Sequence, residues 1–350
     1  MIPARPSVEA LQRYVAPIEG RRGLLRLDFN ENTVGPSPRV VEAIRALPPE
    51  AYATYPEYDG LEAAFAASIG LERTQVALFN GADAAIRAIF DAFARPGGVF
   101  LTTRPTFGYY QPCALMSGMT IRSVPYEADL SFPWAAIEAE LTLRPQICFL
   151  CNPNNPTSTL VPSERLVALA RAHETTLFVV DEIYEAFTGE SVLPHATRLP
   201  NLLALRSLSK STGLAALRVG FACGSEPLVE RAFRVTGPYD INAFAVVAAR
   251  AALEDTAYTQ SYVEEVAAAK AWTLTELQRL GLRHFHQGGN YLLVWPDRDV
   301  TEVEALLRQR GILVRSMAGK PVIDGSFRLS IGTRPQMEQF CTALQAVLAR

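Results

Sequence analysis

Three absences narrow what this chain can be. No run reaches the ~18 consecutive apolar residues of a membrane span, and the opening Met1 to Pro6 has no apolar stretch of the kind that forms a secretory leader. The expectation is a cytoplasmic protein with no membrane partner. An excess of one charge is lacking too: 33 basic against 36 acidic side chains leave a net charge of −3, too weak a field to gather nucleic acid or anionic lipid. Small-molecule chemistry is what remains. Paired cysteines are the third absence. The five present, Cys113, Cys148, Cys151, Cys223 and Cys341, are odd in number, scattered and mostly inside apolar runs. They read as buried free thiols in a reducing compartment, not as disulfides. Cys148 and Cys151 form a CxxC, but no second Cys or His pair stands near to complete a metal site, so they read as two core thiols on one strand.

What the chain does have is enough apolar sequence for a large core. Its 350 residues are 49% hydrophobic and 20% charged, the balance of an ordered globular protein long enough for two subdomains. Short apolar runs alternate with helical patterns: Val99 to Thr102, Met119 to Val124, Ile147 to Cys151, Leu177 to Val180, Leu202 to Leu205 and Leu217 to Cys223. Continuous runs of that kind suit strands buried on both faces. Between them, Ala84 to Ala94, Phe107 to Ser117 and Ser163 to His173 space their apolar residues three or four apart, as amphipathic helices do. The alternation predicts an α/β fold with a mainly parallel sheet covered by helices. After the loop-like Pro238 to Asn242 come two long helical patterns, Ala243 to Glu254 and Tyr258 to Leu280. Strand patterns at Tyr291 to Val294 and Phe327 to Ile331, with a last helix from Pro335 to Ala349, point to a smaller α+β unit. The expected division is an arm over 1–35 that joins the small unit, a large α/β domain over 36–245 and the small domain over 246–350.

Five segments carry chemistry, each where a strand pattern ends. In the first, Arg206-Ser207-Leu208-Ser209-Lys210, a lysine is flanked by hydroxyls, and Arg218 follows it. Lysine can form a reversible imine with an aldehyde, while Ser207, Ser209 and Arg218 can hold a phosphate dianion. The pairing points to an aldehyde cofactor that bears a phosphate; taken alone, the stretch would also suit a solvated loop with a surface lysine. In Phe178 to Phe187, Asp181 closes a buried strand, at the end where open α/β sheets bind ligands. An anion there would keep a pyridine nitrogen protonated and make the ring an electron sink; the competing reading is a helix N-cap. Tyr184 would donate to a phenolate oxygen of the cofactor or serve as a core aromatic, and Glu182 and Glu185 read as solvated or structural. In Cys151 to Ser158, two prolines stiffen a loop that can aim the Asn155 amide at a ligand oxygen, although Asn-Pro pairs also mark plain turns. Phe79-Asn80-Gly81-Ala82-Asp83 reads as strand, tight turn and helix start, where free backbone N–H groups around Ala82 and Asp83 would receive the phosphate. Asp83 could equally be an ordinary cap. Lastly, Phe107, in Arg104 to Tyr110, offers a ring to stack on a flat heterocycle, with Tyr110 as packing or a second contact.

In this order the segments resemble those of fold-type-I aminotransferases, most closely the histidinol-phosphate aminotransferase family. The resemblance runs nearly end to end and takes in Leu27 to Asn32, Gly35 to Pro38, Tyr55-Pro56 and Arg328 to Thr333. It implies a seven-stranded, mainly parallel sheet and pyridoxal 5'-phosphate as cofactor, held covalently by Lys210 with the groups named above around it. It implies a homodimer with shared active sites as well, in which Tyr55 reaches the phosphate of the neighbouring subunit. Arg328 looks like the family's substrate-anion arginine, Arg315 like a second one, and Tyr14 like a phosphate-contacting tyrosine of the N-terminal arm; Asn155 is expected to face substrate too. The chain departs from the family pattern at Ala82 and Ala84, at Ser158 where glycine is usual, at Thr33-Val34, at Ser211-Thr212 and at Arg334 to Gln336. None of these removes a group needed for imine chemistry, but they touch the pocket rim and the phosphate loop.

The implied reaction is amino transfer between a small amino donor and a 2-oxo acid, with the Lys210 amine moving the Cα proton. Two arginines and a hydroxyl suit a dianionic phosphate better than a lone carboxylate, so histidinol phosphate with 2-oxoglutarate is the expected pair. Arg315 could instead be a strand-end residue with its stem on the core and its head in water, in which case an aromatic or other amino acid is the donor. A decarboxylase or an elimination enzyme using the same cofactor is the other enzymatic reading. A non-enzymatic cofactor-binding regulator would carry a DNA-binding domain, for which the residues before Asn30 are too few.

Overall fold

A computed structural model describes residues 2–11 and 17–349; Tyr14 lies outside the described residues. A short strand, β1 (Leu25–Arg26), is followed by the seven of the central sheet: β2 (Val76–Asn80), β3 (Val99–Arg104), β4 (Thr120–Pro125), β5 (Ile147–Cys151), β6 (Leu177–Asp181), β7 (Leu202–Ser207) and β8 (Val219–Gly224). They lie in the order β2-β8-β7-β6-β5-β3-β4. Only β8 runs against the rest, pairing antiparallel with β2 and β7, while β3 to β7 pair in parallel.

Two-residue alternation explains why these strands read as unbroken apolar runs. Along β5, Cys148 and Leu150 enter one core while Ile147, Phe149 and Cys151 enter the other, because successive side chains leave a strand on opposite faces. The two cysteines of the CxxC are therefore buried on opposite faces of the sheet. One face is covered by helices Ala82–Phe93, Tyr110–Met116 and Glu226–Phe233, which contribute Ile86, Phe90, Cys113 and Val229. On the other lie Asp59–Ser68, Ser163–Ala172 and Ala243–Glu254, with Phe65, Leu166 and Ala248. The run at Met119 to Val124 departs from the expected pattern. β4 begins at Thr120 and most of it is half-buried or exposed, since it is an edge strand with β3 as its only neighbour among the described residues. β8 begins at Val219, later than expected, because Ala215–Leu217 forms a 3₁₀ turn and Arg218 takes the left-handed conformation, φ 58°.

A second sheet is antiparallel throughout, in the order β12-β13-β10-β9, where β9 is Arg283–Phe285, β10 Tyr291–Trp295, β12 Arg315–Ser316 and β13 Phe327–Ser330. Helices Thr256–Arg279, Val300–Gln309 and Arg334–Leu348 pack their apolar faces on it. β11 (Ile312–Leu313) pairs in parallel with β1. Past β1 the backbone stays tied to this unit, Leu27 N–H donating to Leu313 O and Ser330 N–H to Leu27 O, each at 2.9 Å. That lays the segment up to Asn32 along the edge of the large sheet.

Candidate active site

The carboxyl ends of β2, β3, β5, β6 and β7 meet the amino end of β8 along one edge of the sheet. From β3 the chain goes outward to β4, and from β5 the other way to β6 and β7. Between β3 and β5 the order reverses, which is where an open α/β sheet leaves a crevice for a ligand.

Asp181 closes β6 on that edge. Its Oδ1 accepts the Ile183 N–H at 3.3 Å and turns the chain, and its Oδ2 accepts the Tyr110 hydroxyl at 2.6 Å. The residue is 1% exposed, and no described side chain forms an ion pair with it. Burial raises its pKa to about 6, against the downward pull of the Tyr110 hydrogen bond. A carboxylate kept so dry without a cation is costly, and a ligand bearing a positive ring nitrogen would relieve it.

Lys210 follows β7. Its Nζ donates to the Phe29 carbonyl oxygen at 3.0 Å and has no carboxylate partner among the described residues. Burial first, and then the Arg328 guanidinium, push its pKa down to about 8. Beside it, Ser207 Oγ donates to Ser209 Oγ at 2.9 Å and accepts the Ser209 N–H at 3.1 Å. Arg218 bonds Asp83 Oδ2 at 3.0 Å. Gly81 precedes the helix that starts at Ala82, and that helix start has no side-chain cap, so its first N–H groups are open to an anion. A Cβ on Gly81, whose φ is +79°, would collide with the Arg218 guanidinium, and one on Gly220 would collide with the Ala82 backbone. The cradle is closed by backbone on one side and by a cation on the other.

Above it, three buried side chains converge. Tyr184 Oη accepts from Asn30 Nδ2 at 3.0 Å and from Asn155 Nδ2 at 3.4 Å. With two amides filling its lone pairs, its own proton has no acceptor among the described residues and is left for a ligand oxygen. Asn155 Oδ1 accepts in turn from Arg328, which also donates to the Asp28 carbonyl. Phe107, just past the end of β3, lies edge-on to Tyr110, ring centres 5.5 Å apart at 77°. Arg328 on β13 and Arg315 on β12 are directly paired across the small sheet.

Lys210, Asp181, Tyr184, Asn155, Phe107 and the Ala82–Asp83–Ser207–Ser209–Arg218 cradle thus share one edge. Tyr55 does not join them: it is 69% exposed and stacks on Tyr239 at 3.9 Å. The residue patterns gave no advance sign of the Phe29 carbonyl as the lysine's acceptor, nor of Asn30 as a donor to Tyr184. Asn30 has φ 55° and is anchored by Ser330, whose Oγ accepts its N–H at 2.8 Å. These partners are far apart in sequence, and no local spacing encodes them.

Residues 22–344 match the family of class I and II aminotransferases. The chain belongs to that family. A histidinol-phosphate aminotransferase of Moorella thermoacetica is 32% identical over 361 aligned positions, covering 99% of this chain and 90% of the relative. The crystal structure of histidinol-phosphate aminotransferase from Sinorhizobium meliloti, in complex with pyridoxal 5'-phosphate, has a TM-score of 0.90 at 24% identity, covering 98% of this chain and 97% of that one. An L-threonine-O-3-phosphate decarboxylase from Porphyromonas gingivalis has a TM-score of 0.83 at 24% identity, covering 93% and 100%. At that identity the two structures establish the fold alone, and they carry different reactions on it.

This class I and II aminotransferase has the fold-type-I architecture and depends on pyridoxal 5'-phosphate. When bound, the cofactor supplies an aldehyde carbon and a protonated ring that accepts electron density from the substrate. The residues at the sheet edge fit it. A dry anion without a cation, an amine with a lowered pKa, an unspent phenolic proton and an uncapped helix start match ring nitrogen, aldehyde, phenolic oxygen and phosphate in turn.

Proposed function

We propose that this aminotransferase transfers the amino group of histidinol phosphate to 2-oxoglutarate, a step of histidine biosynthesis. The observation that carries the reading is the Arg315–Arg328 pair. Two guanidiniums stand in register on neighbouring strands, and that of Arg315 makes no hydrogen bond or ion pair with any described residue. Two cationic forks match a dianionic phosphate better than a single carboxylate, which one fork satisfies. Tyr14 of the N-terminal arm is proposed as the third phosphate contact, and Asn155 as a contact to both substrate and cofactor.

In the proposed chemistry Lys210 would hold the cofactor and, as a free amine, would carry the proton taken from the substrate's Cα. A pKa near 8 leaves a useful fraction of that amine neutral at physiological pH. Asp181 would keep the ring nitrogen protonated, Tyr184 and Asn155 would donate to the phenolic oxygen, and Phe107 would offer its ring to the heterocycle. Ser207, Ser209, Arg218 and the Ala82–Asp83 helix start would receive the cofactor phosphate. Tyr55 completes that site from the partner subunit; its exposure, together with the neighbouring exposed rings of Tyr52 and Tyr239, supports a homodimer. The division into 1–35, 36–245 and 246–350 is proposed with it, as is a cytoplasmic location; among the described residues no helix is long and apolar enough to cross a membrane.

The test is a comparison of kcat/KM for histidinol phosphate and for phenylalanine with 2-oxoglutarate as acceptor. The phosphorylated amine is expected to be preferred by about a hundredfold or more, the worth of one charge-assisted phosphate site. Equal rates would remove the substrate assignment and favour an aromatic or other amino donor. Release of carbon dioxide without any need for a keto acid would remove amino transfer itself.

A further inference from the structure

The hairpin that carries the two arginines holds a third cation. β12 and β13 are joined by the turn from Met317 to Ser326, in which the Lys320 N–H donates to Met317 O at 3.1 Å. The turn's own acid, Asp324, is engaged locally: its Oδ1 accepts the Gly319 and Gly325 N–H groups at 2.7 and 2.9 Å. The other carboxylate beside this hairpin, Glu304, accepts the Ser316 N–H at 3.1 Å. Neither forms an ion pair with Lys320 or Arg315, and both cations are without a salt-bridge partner among the described residues. A fold that leaves like charges side by side with no counter-ion of its own has a repulsion to offset, and an incoming polyanion offsets it.

We propose that Lys320 is a specificity-determining residue, the outer member of a three-cation site with Arg315 and Arg328 that selects substrates ending in a phosphate dianion. The inference rests on the reading of Arg315 and Arg328 as the substrate-anion pair and adds the residue at the rim. Partial desolvation first, and then the Arg315 and Arg328 guanidiniums, lower the Lys320 pKa, in keeping with all three sharing one space. Lys320 is an exposed residue on a flexible stem, so its ammonium can reach a ligand oxygen that the two guanidiniums leave unsatisfied. A carboxylate satisfied by the Arg328 fork leaves Lys320 no oxygen to bind. Its contribution therefore falls on phosphate esters.

The test uses Lys320→Gln, Lys320→Arg and the parent as pyridoxal-phosphate-loaded enzymes. Titration calorimetry measures the Kd of inorganic phosphate, and steady-state kinetics give KM and kcat for histidinol phosphate and for phenylalanine. In Lys320→Gln, phosphate Kd and histidinol phosphate KM are expected to rise together about fivefold, the scale of one rim charge. The kcat for histidinol phosphate should move far less than KM, and Lys320→Arg should recover most of the loss. If Lys320→Gln binds phosphate as tightly as the parent, the proposal is overturned, even where the parent prefers the phosphorylated amine and the substrate reading stands. If phosphate binding weakens while the parent shows no preference for that amine, the three-cation site stands and histidinol phosphate falls as its substrate. A KM raised equally for phenylalanine would show a general loosening of the hairpin and would also overturn the proposal.

Discussion

The state of one buried carboxylate sets the chemistry of the site. Asp181 is useful only as an anion, and its surroundings push it the other way: burial raises its pKa to about 6, and the Tyr110 hydroxyl resists that rise through a 2.6 Å hydrogen bond. Tyr110, fully buried and itself held far above its ordinary pKa by burial and by Asp181, remains a neutral donor. It is a positioning residue, acting on the cofactor ring only through Asp181. Tyr110→Phe should lower kcat about ten- to a hundredfold, the ~1.5–3 kcal/mol of a lost hydrogen bond to a charged acceptor. Activity requires the ionised carboxylate, present above its pKa and lost as pH falls through it. Removing the donor raises that pKa further, so the acid limb of the rate profile should move to higher pH. Asp181→Asn should cost about a hundredfold or more and erase the limb altogether. An unmoved limb in the Tyr110 variant would remove the tyrosine from this role.

At the scale of elements, strand ends do the positioning, and the turns after them must be stiff. The turn after β6 is braced by a buried ion cluster in which Arg206 of β7 pairs with Glu182 at 3.0 Å and with Glu185. Glu182 Oε2 also accepts from Ser191 at 2.8 Å, and Arg206 bonds the same hydroxyl at 2.8 Å. Removing one member strands the other in the core, so Glu182→Ala should cost about 3 kcal/mol of stability, seen as a fall in melting temperature, and should disturb the Tyr184 turn. A variant melting with the parent would show the cluster to be dispensable. Strand identity was legible because burial on both faces writes a continuous apolar run, and the placing of Lys210, Asp181, Asn155 and Gly81 on one edge was legible because each stands at or within a few residues of the end of such a run. Glu182 was open between solvated and structural, since an acid's burial depends on a partner 24 residues away in sequence. The edge position of β4 was not legible either, for the count of a strand's neighbours is set by topology. The converging donors on Tyr184 come from Asn30 and Asn155, which only the folded small unit brings together.

For the whole molecule, the N-terminal segment bridges the two sheets. It is tied to the small sheet at Leu27 and Ser330 and to the large one through the Phe29 carbonyl on Lys210. Motion of the small unit would therefore be felt directly at the lysine. The exposed Tyr52, Tyr55 and Tyr239 rings form an aromatic surface that a monomer would leave in water. Sedimentation should accordingly show a species of twice the chain mass, and Tyr55→Phe should weaken cofactor retention on dialysis while leaving that species intact. A monomer that holds the cofactor tightly and turns over would contradict the shared-site arrangement.

The central claim is that the Lys210 amine is the group that captures the cofactor aldehyde. Incubating the protein with pyridoxal 5'-phosphate, reducing with borohydride and mapping the peptides by mass spectrometry tests it without any assumption about substrate. The expected result is one phosphopyridoxyl adduct per chain, on the peptide containing Lys210 and absent from Lys210→Ala. An adduct spread over surface lysines, or equal labelling of the Lys210→Ala variant, would contradict it.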